Sequence, residues 1–267
     1  DTCEGETILS LMKTIFVFGD SYADPKSTLS PANPGDADKT YVKLLSNYYN
    51  CAVINTGKGG ASNEYIIEKF FDNVEQIKEN DIVIFFTTWH GRRWLIEDLP
   101  ALSSYLNLAK FIGGVGGFGR ELSEEEISYC TEVFLKSLDA FEERKSEVYI
   151  KMMLSTLSEY QRKIGFKSIV VNTFAENEKY DNFINTSGRL HDVNGNEFAD
   201  IKNFHDNHRD FRINHLSVVN HAILAEKIIK AIESGEDIDL NSAFKEKIVY
   251  AKDIEEFRIN YKKIIGQ

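Results

Sequence analysis

A serine becomes a nucleophile only when a base takes its proton and donors await the developing oxyanion. Ser21 is placed for that work. It follows the apolar run "TIFVFG" (14–19) in the stretch "TIFVFGDSYADP", so that a buried strand breaks at Gly-Asp-Ser and offers a hydroxyl at its end. Two further segments of unusual composition follow apolar runs: Asn55-Thr56-Gly57-Lys58-Gly59-Gly60 and Thr87-Thr88-Trp89-His90. If those runs are parallel strands of one sheet, all three segments lie at its carboxyl edge, where open α/β sheets bind ligands. The candidate bases are His90, His191, His205, His208, His215 and His221. Among them His215 stands out because it opens the last helical pattern, in "RINHLSVVNH", directly after a loop. Asp20 is read as stabilising the turn rather than reacting. His90, beside Arg92 and Arg93, offers contacts to an anionic substrate, with a solvated loop as the plain alternative.

The elements that must position these groups follow from periodicity. Apolar runs over 14–19, 51–57, 81–88 and 167–174 predict strands, and helical spacing over 40–50, 62–77, 147–165 and 215–234 predicts helices. Ser62 and Asn63 both suit a helix N-cap. The run 81–88 is apolar on both faces, as a central parallel strand should be. Strands alternating with helices indicate an α/β protein whose parallel sheet is covered on both sides. Residues 98–145 read as an acidic helical insertion interrupted by "GGVGGFG" (113–119), a run too flexible for a helix and lacking the Lys-Ser/Thr of a phosphate loop. Residues 1–11 stand upstream as an extension or tag, 12–235 form the α/β domain, and 236–267 form a C-terminal helical extension.

Composition narrows the function classes. The chain has 267 residues, enough to bury a substantial core, and its 42% hydrophobic and 27% charged content suits a globular domain. A formal net charge of −11 argues against a general nucleic-acid binder, which needs basic surface for phosphates. Cys3, Cys51 and Cys130 are widely spaced, with no Cys-x-x-Cys pair and no zinc spacing. His205, Asp206, His208 and Asp210 cluster in "HDNHRD", yet the two histidines are three apart and no second cluster follows, so a polar loop delivering His215 is expected and no metal. No cofactor is expected. No apolar run reaches the ~18 residues of a membrane span, and no signal-peptide pattern is visible. The expected location is cytoplasmic, or virion-associated if the chain is phage-encoded.

Taken together, "FVFGDSYAD", "NTGKGGASNEY" and the late His215 resemble the blocks of the GDSL, or SGNH, hydrolases, a resemblance running over residues 13–235. These are esterases, lipases and carbohydrate deacetylases on a flavodoxin-like three-layer α/β/α sandwich with a central parallel sheet. The resemblance implies Ser21 as nucleophile, the backbone N–H groups of Ser21 and Gly60 as oxyanion hole, and His215 as general base. The helix "SVVNHAILAEKI" is similar too, with Asn220 in place of the family's glycine. The family's third block, Gly-x-Asn-Asp, is replaced by "FFTTWHGRRW", with Trp89 where the asparagine donor would stand. This form is similar to that of SGNH-like proteins predicted from phage genomes. Thr88, Asn63 or His90 is left to substitute as donor, and Thr88, His90 and Arg92 to contact substrate. The family's acid, three residues before the histidine, is Arg212 here, which leaves a Ser–His dyad or a triad through Asp210, with Asp206 further back.

The activity so implied is hydrolysis of a small ester, such as an acetyl or short acyl group on a carbohydrate, through an acyl-enzyme. Two other readings stand beside it. One is a non-catalytic SGNH-like binding or structural module, for example in a virion. The other is an enzyme acting on nucleic acid through Arg92, Arg93 and the histidine-rich stretch, against which the net charge counts. The insertion, as lid or interface, and the C-terminal helix offer surfaces to a second copy or another protein.

Overall fold

The computed structural model describes residues 14–25, 38–88, 92–93, 102–103, 123–125, 128, 132, 143–174, 179–190, 216 and 218–244. Its centre is a six-stranded sheet. The strands are β1 (Thr14–Gly19), β2 (Ala52–Asn55), β3 (Ile82–Thr87), β6 (Lys167–Asn172), β7 (Ile184–Ser187) and β8 (Ile238–Asp239), in the spatial order β2-β1-β3-β6-β7-β8. Every pairing in it is parallel. A small antiparallel ribbon, β4 (Arg92–Arg93) with β5 (Leu102–Ser103), stands apart from it.

Among the described residues, four helices cover the sheet: α1 (Tyr41–Tyr49), α2 (Asn63–Asn73), α3 (Glu143–Ile164) and α4 (Val218–Ser234). Strand side chains alternate between faces, and two cores result. Ile15, Val17, Ile82, Ile84, Phe86, Ile169 and Val171 pack with Tyr41 and Leu45 of α1 and Leu224 and Ile228 of α4. Phe16, Phe18, Val83, Phe85 and Val170 pack on the other face with Ile66 and Phe70 of α2 and Leu154 and Leu157 of α3. The second core is aromatic at its middle, where the Phe18, Phe70 and Phe85 rings meet at centroid distances of 5.5 to 5.9 Å. This is the three-layer α/β/α sandwich expected from the alternating pattern.

Local chemistry sets the helix ends. The Thr40 hydroxyl accepts from Lys43 N and starts α1, and Asn50 closes it in the left-handed region at φ 49°. Ser62, one of the two foreseen caps, accepts from Tyr65 N at 3.3 Å and starts α2. Gly165, at φ +88°, follows α3 and donates to Gln161 O, a glycine C-cap.

The strands β1, β3 and β6 fall where the apolar runs placed them. β7 and β8 were not foreseen. "INTS" is half polar and "ID" has two residues, too little for periodicity to register, yet β8 draws residues read as the start of an extension into the sheet. Leu102–Ser103 is strand within a segment read as helical. The glycine run 113–119 lies outside the described residues.

Counting only the strands of the main sheet, the order is 2-1-3-4-5-6, which reverses direction between β1 and β3. In open α/β sheets, ligands bind outside the carboxyl ends of the strands at such a switch point. The backbone is crowded beside it: a Cβ added at Gly57 would lie 2.6 Å from both the carbonyl carbon and the Cβ of Ala23. Gly57→Ala should therefore destabilise the protein by about 1–3 kcal/mol through overpacking. Urea unfolding should show a lower midpoint at unchanged slope; a midpoint equal to wild type would mean the two loops separate without cost.

Candidate active site at the carboxyl edge

β1 ends at Gly19, where a Cβ would come within 2.5 Å of Phe86 Cβ and 2.8 Å of Ala23 Cβ. The chain can therefore turn at once against β3. Asp20 organises that turn. Its backbone carbonyl accepts from Ala23 N and Asp24 N, both at 3.0 Å, and its Oδ1 accepts from Tyr22 N at 3.0 Å. Asp20 and Tyr22 are buried, and Ser21 between them is partly exposed. The sequence places a hydroxyl at the strand end; the fold leaves that residue open to solvent and closes over its two neighbours.

The loop from β2 to α2 is laced to this turn. Thr56 N donates to Val17 O and Lys58 N to Gly19 O, each at 3.0 Å, which continues the β1–β2 pairing past the end of β2. Asn55 reaches across with Nδ2 to Ala23 O at 2.8 Å while its Oδ1 accepts from Gly57 N at 2.9 Å. Gly59 N donates to Asp24 Oδ2 at 2.8 Å. Gly60 then takes φ +76°, a left-handed turn that favours glycine, and α2 begins. The N–H groups of Gly57, Lys58, Gly59 and Ala61 all have acceptors. Among the described residues, those of Ser21 and Gly60 have none.

On the other flank, the register that pairs Gly19 with Phe86 brings the residues after β3 beside those after β1. Asn63 holds this end of β3. Its Nδ2 donates to Thr88 O and its Oδ1 accepts from Thr88 N, both at 3.0 Å, so one buried carboxamide closes a ring with one buried backbone residue. The Thr88 hydroxyl is buried without a hydrogen-bond partner among the described residues, as is that of Thr56.

Of the residues singled out from sequence, Ser21, Gly60, Asn63 and Thr88 come together at this edge. Arg92 has its backbone in β4, while its side chain, His90, Asp210 and His215 lie outside the described residues. Leu216, next to His215 in the chain, is buried in the core shared with α1 and α4. Sequence reading missed Asp24 and the cross-loop role of Asn55, because neither partner is near in sequence. It also missed the pairing of Asn63 with a backbone 25 residues away.

Beneath the turn, Tyr41 is buried, tilts against Phe86 with ring centroids 5.3 Å apart, and stacks on His221. Its N–H donates to His221 Nδ1 at 3.4 Å. Its hydroxyl has no hydrogen-bond partner among the described residues. Burial, and secondarily the nearby charge of Asp20, push the Tyr41 phenol well above the ordinary tyrosine range. An open cleft of about 410 Å³, lined by Glu159, Tyr160, Arg162 and Lys163, sits instead at the last turns of α3, by the amino edge of the sheet.

No protein-family model matches the chain, and no curated protein matches it. Among solved structures, it is similar to the psychrotrophic esterase EstA from Pseudoalteromonas sp., inhibited by monoethylphosphonate. The identity is 13% and the TM-score 0.38, over 86% of this chain and 100% of that one. It is similar to a member of the lipolytic protein G-D-S-L family from Veillonella parvula DSM 2008 at 11% identity and a TM-score of 0.30, over 95% of this chain and 97% of that one. It is similar to TesA at 12% identity and a TM-score of 0.31, and there it spans 61% of its own length and 62% of the other chain. At these scores the likeness adds nothing to the fold or the chemistry, both of which stand on the residues above.

Two outcomes are expected. Asn63→Ala strands the Thr88 N–H and carbonyl in a buried place, so stability should fall by about 1–3 kcal/mol for each group left unpaired, read by urea denaturation. A loss under 0.5 kcal/mol would show that water replaces the carboxamide. Tyr41, whose folded-state pKa is raised, contributes stability that is complete below the ordinary tyrosine value of about 10 and is withdrawn as pH rises above it. Tyr41→Phe should thus move alkaline unfolding to higher pH, while at pH 7 its unfolding midpoint stays level or rises; an unmoved alkaline transition would contradict this.

Proposed function

We propose that this protein is a serine hydrolase of the SGNH type, cleaving an ester through an acyl-enzyme on Ser21. One observation carries the reading. A partly exposed serine sits at the switch point of the sheet beside two backbone N–H groups, of Ser21 and Gly60, that lack acceptors among the described residues while the N–H groups of Gly57, Lys58, Gly59 and Ala61 have them. Such donors, fixed before the reaction, suit a charge that exists only in the transition state.

In this mechanism Ser21 Oγ attacks the ester carbonyl carbon as His215 takes its proton. The carbonyl oxygen becomes an oxyanion and accepts from Ser21 N and Gly60 N. Collapse of the tetrahedral species breaks the bond to the alcohol oxygen, which receives the proton from His215. Water, deprotonated by the same histidine, then attacks the acyl-enzyme and returns Ser21. Asp210 orients the imidazole if a triad operates. Among the described residues, the buried Thr88 hydroxyl and the second Nδ2 hydrogen of Asn63 are side-chain donors available to stand in for the missing asparagine block. His90, outside them, is the other candidate. His90 and Arg92 contact the rest of the substrate. The substrate class, an acetyl or short acyl ester on a carbohydrate, comes from the resemblance of the sequence blocks.

The test is labelling with a fluorophosphonate and turnover of p-nitrophenyl acetate. Wild type should label at Ser21, and Ser21→Ala and His215→Ala should each lose turnover by about four orders of magnitude or more. A folded wild-type protein whose Ser21 stays unlabelled would sink the proposal and leave the non-catalytic binding module.

A further inference from the structure

Both chain neighbours of Ser21 are held by the two residues that leave β6. Thr173 Oγ1 lies 3.1 Å from Asp20 Oδ2. The Phe174 ring meets the Tyr22 ring edge-on, with centroids 5.8 Å apart and planes at 66°. Thr173 is itself fastened to the strand in between: its N–H donates to Thr87 O at 3.0 Å, and its Oγ1 lies 2.6 Å from the same oxygen. Since β3 stands between β1 and β6, this side chain carries a tie across the end of β3 from one neighbour to the other. Asp20, Tyr22, Thr87 and Thr173 are each 1% exposed or less, so no water competes for these contacts.

A threonine hydroxyl has one proton, shared here between the Thr87 carbonyl and the Asp20 carboxylate. Sheet pairing needs neither, because Thr173 N already bonds Thr87 O. What the hydroxyl adds is a fixed orientation for the Asp20 carboxylate. The other oxygen of that carboxylate accepts from Tyr22 N, and this bond sets the two peptides that flank Ser21. The direction of the Ser21 N–H and the position of its Oγ both follow from those peptides.

We infer that Thr173 is a positioning residue for Ser21, acting through the Asp20 carboxylate, with Phe174 backing Tyr22. As a statement about reactivity it rests on Ser21 being the nucleophile; as a statement about the turn it does not. Without the hydroxyl the carboxylate loses one of its holds, the bond to Tyr22 N loosens, and the donor and nucleophile drift together. A displacement on the order of 1 Å costs about 10²-fold in rate.

The variants are Thr173→Val, which keeps shape and removes the hydroxyl, and Thr173→Ser, which keeps it. Amide hydrogen exchange at Tyr22, Ala23 and Asp24 should quicken about 10-fold or more in Thr173→Val, stay near wild type in Thr173→Ser, and leave the amides of β1 unmoved. Fluorophosphonate labelling of Ser21 should slow by about 10- to 100-fold in Thr173→Val and recover in Thr173→Ser, with kcat for p-nitrophenyl acetate falling and KM holding. If Thr173→Val does not fold, Phe174→Leu should give the same two changes at smaller size. Unchanged exchange at residues 22–24 overturns the inference whatever the chemistry, and so does a loosened turn that labels at the wild-type rate. If wild type itself does not label, the hydrolase reading fails, and the exchange result alone decides the clamp.

Discussion

Two stretches of backbone, 20–24 and 55–59, lie against each other with no room for a side chain between Gly57 and Ala23. That close approach governs the rest of this edge. It lets Asn55 reach Ala23 O and lets Asp24 accept from Gly59 N. It also carries the β1–β2 pairing beyond the strands through Lys58 and Gly19. These bonds consume the N–H groups on either side, and Gly60 is left without an acceptor for its own among the described residues. Steric permission at one glycine thus decides where a donor is left over at another.

An uncommitted N–H costs little while water can reach it, since solvent supplies an acceptor. Ser21 and Gly60 are both partly exposed, whereas Asp20, Asn63 and Thr88 around them are buried. Rigid groups therefore surround a few open ones. The buried polar groups hold each other through side chain-to-backbone bonds: Asp20 with Tyr22, Asn63 with Thr88, Asn55 with Ala23 and Gly57. Bonds of this kind resist small displacements, because breaking any one leaves a buried group unpaired.

Much of the frame was legible in the sequence. β1 and β3 are continuous apolar runs because both faces are covered, and Ser62 announces α2 because a hydroxyl before a helical pattern has one obvious use. β7 and β8 were silent, being short and half polar in "INTS" and two residues long in "ID". At the site, Ser21 and Gly60 were readable from turn chemistry next to strands. Asn63 was readable only as a cap or a donor, not as the clasp on Thr88, since nothing in the spacing of Asn63 and Thr88 marks them as partners. Thr173 looked like the end of a strand. Its meaning depends on strand order, which places the end of β6 near that of β1, and local pattern does not carry strand order.

The tie between Asp20 and Thr173 spans 153 residues, and that between Tyr41 and His221 spans 180. On the ribosome Ser21 therefore emerges long before the groups that set its turn. A nascent chain that has produced β1, β2 and β3 already holds the serine and the glycine loop, but not Thr173, which follows β6, or the imidazole that accepts from the first residue of α1. The order of synthesis makes completion of the site a late event, so a truncated product displays the serine motif without the geometry. Slow closure of contacts this distant in sequence is the kinetic cost of building the edge from both ends of the sheet.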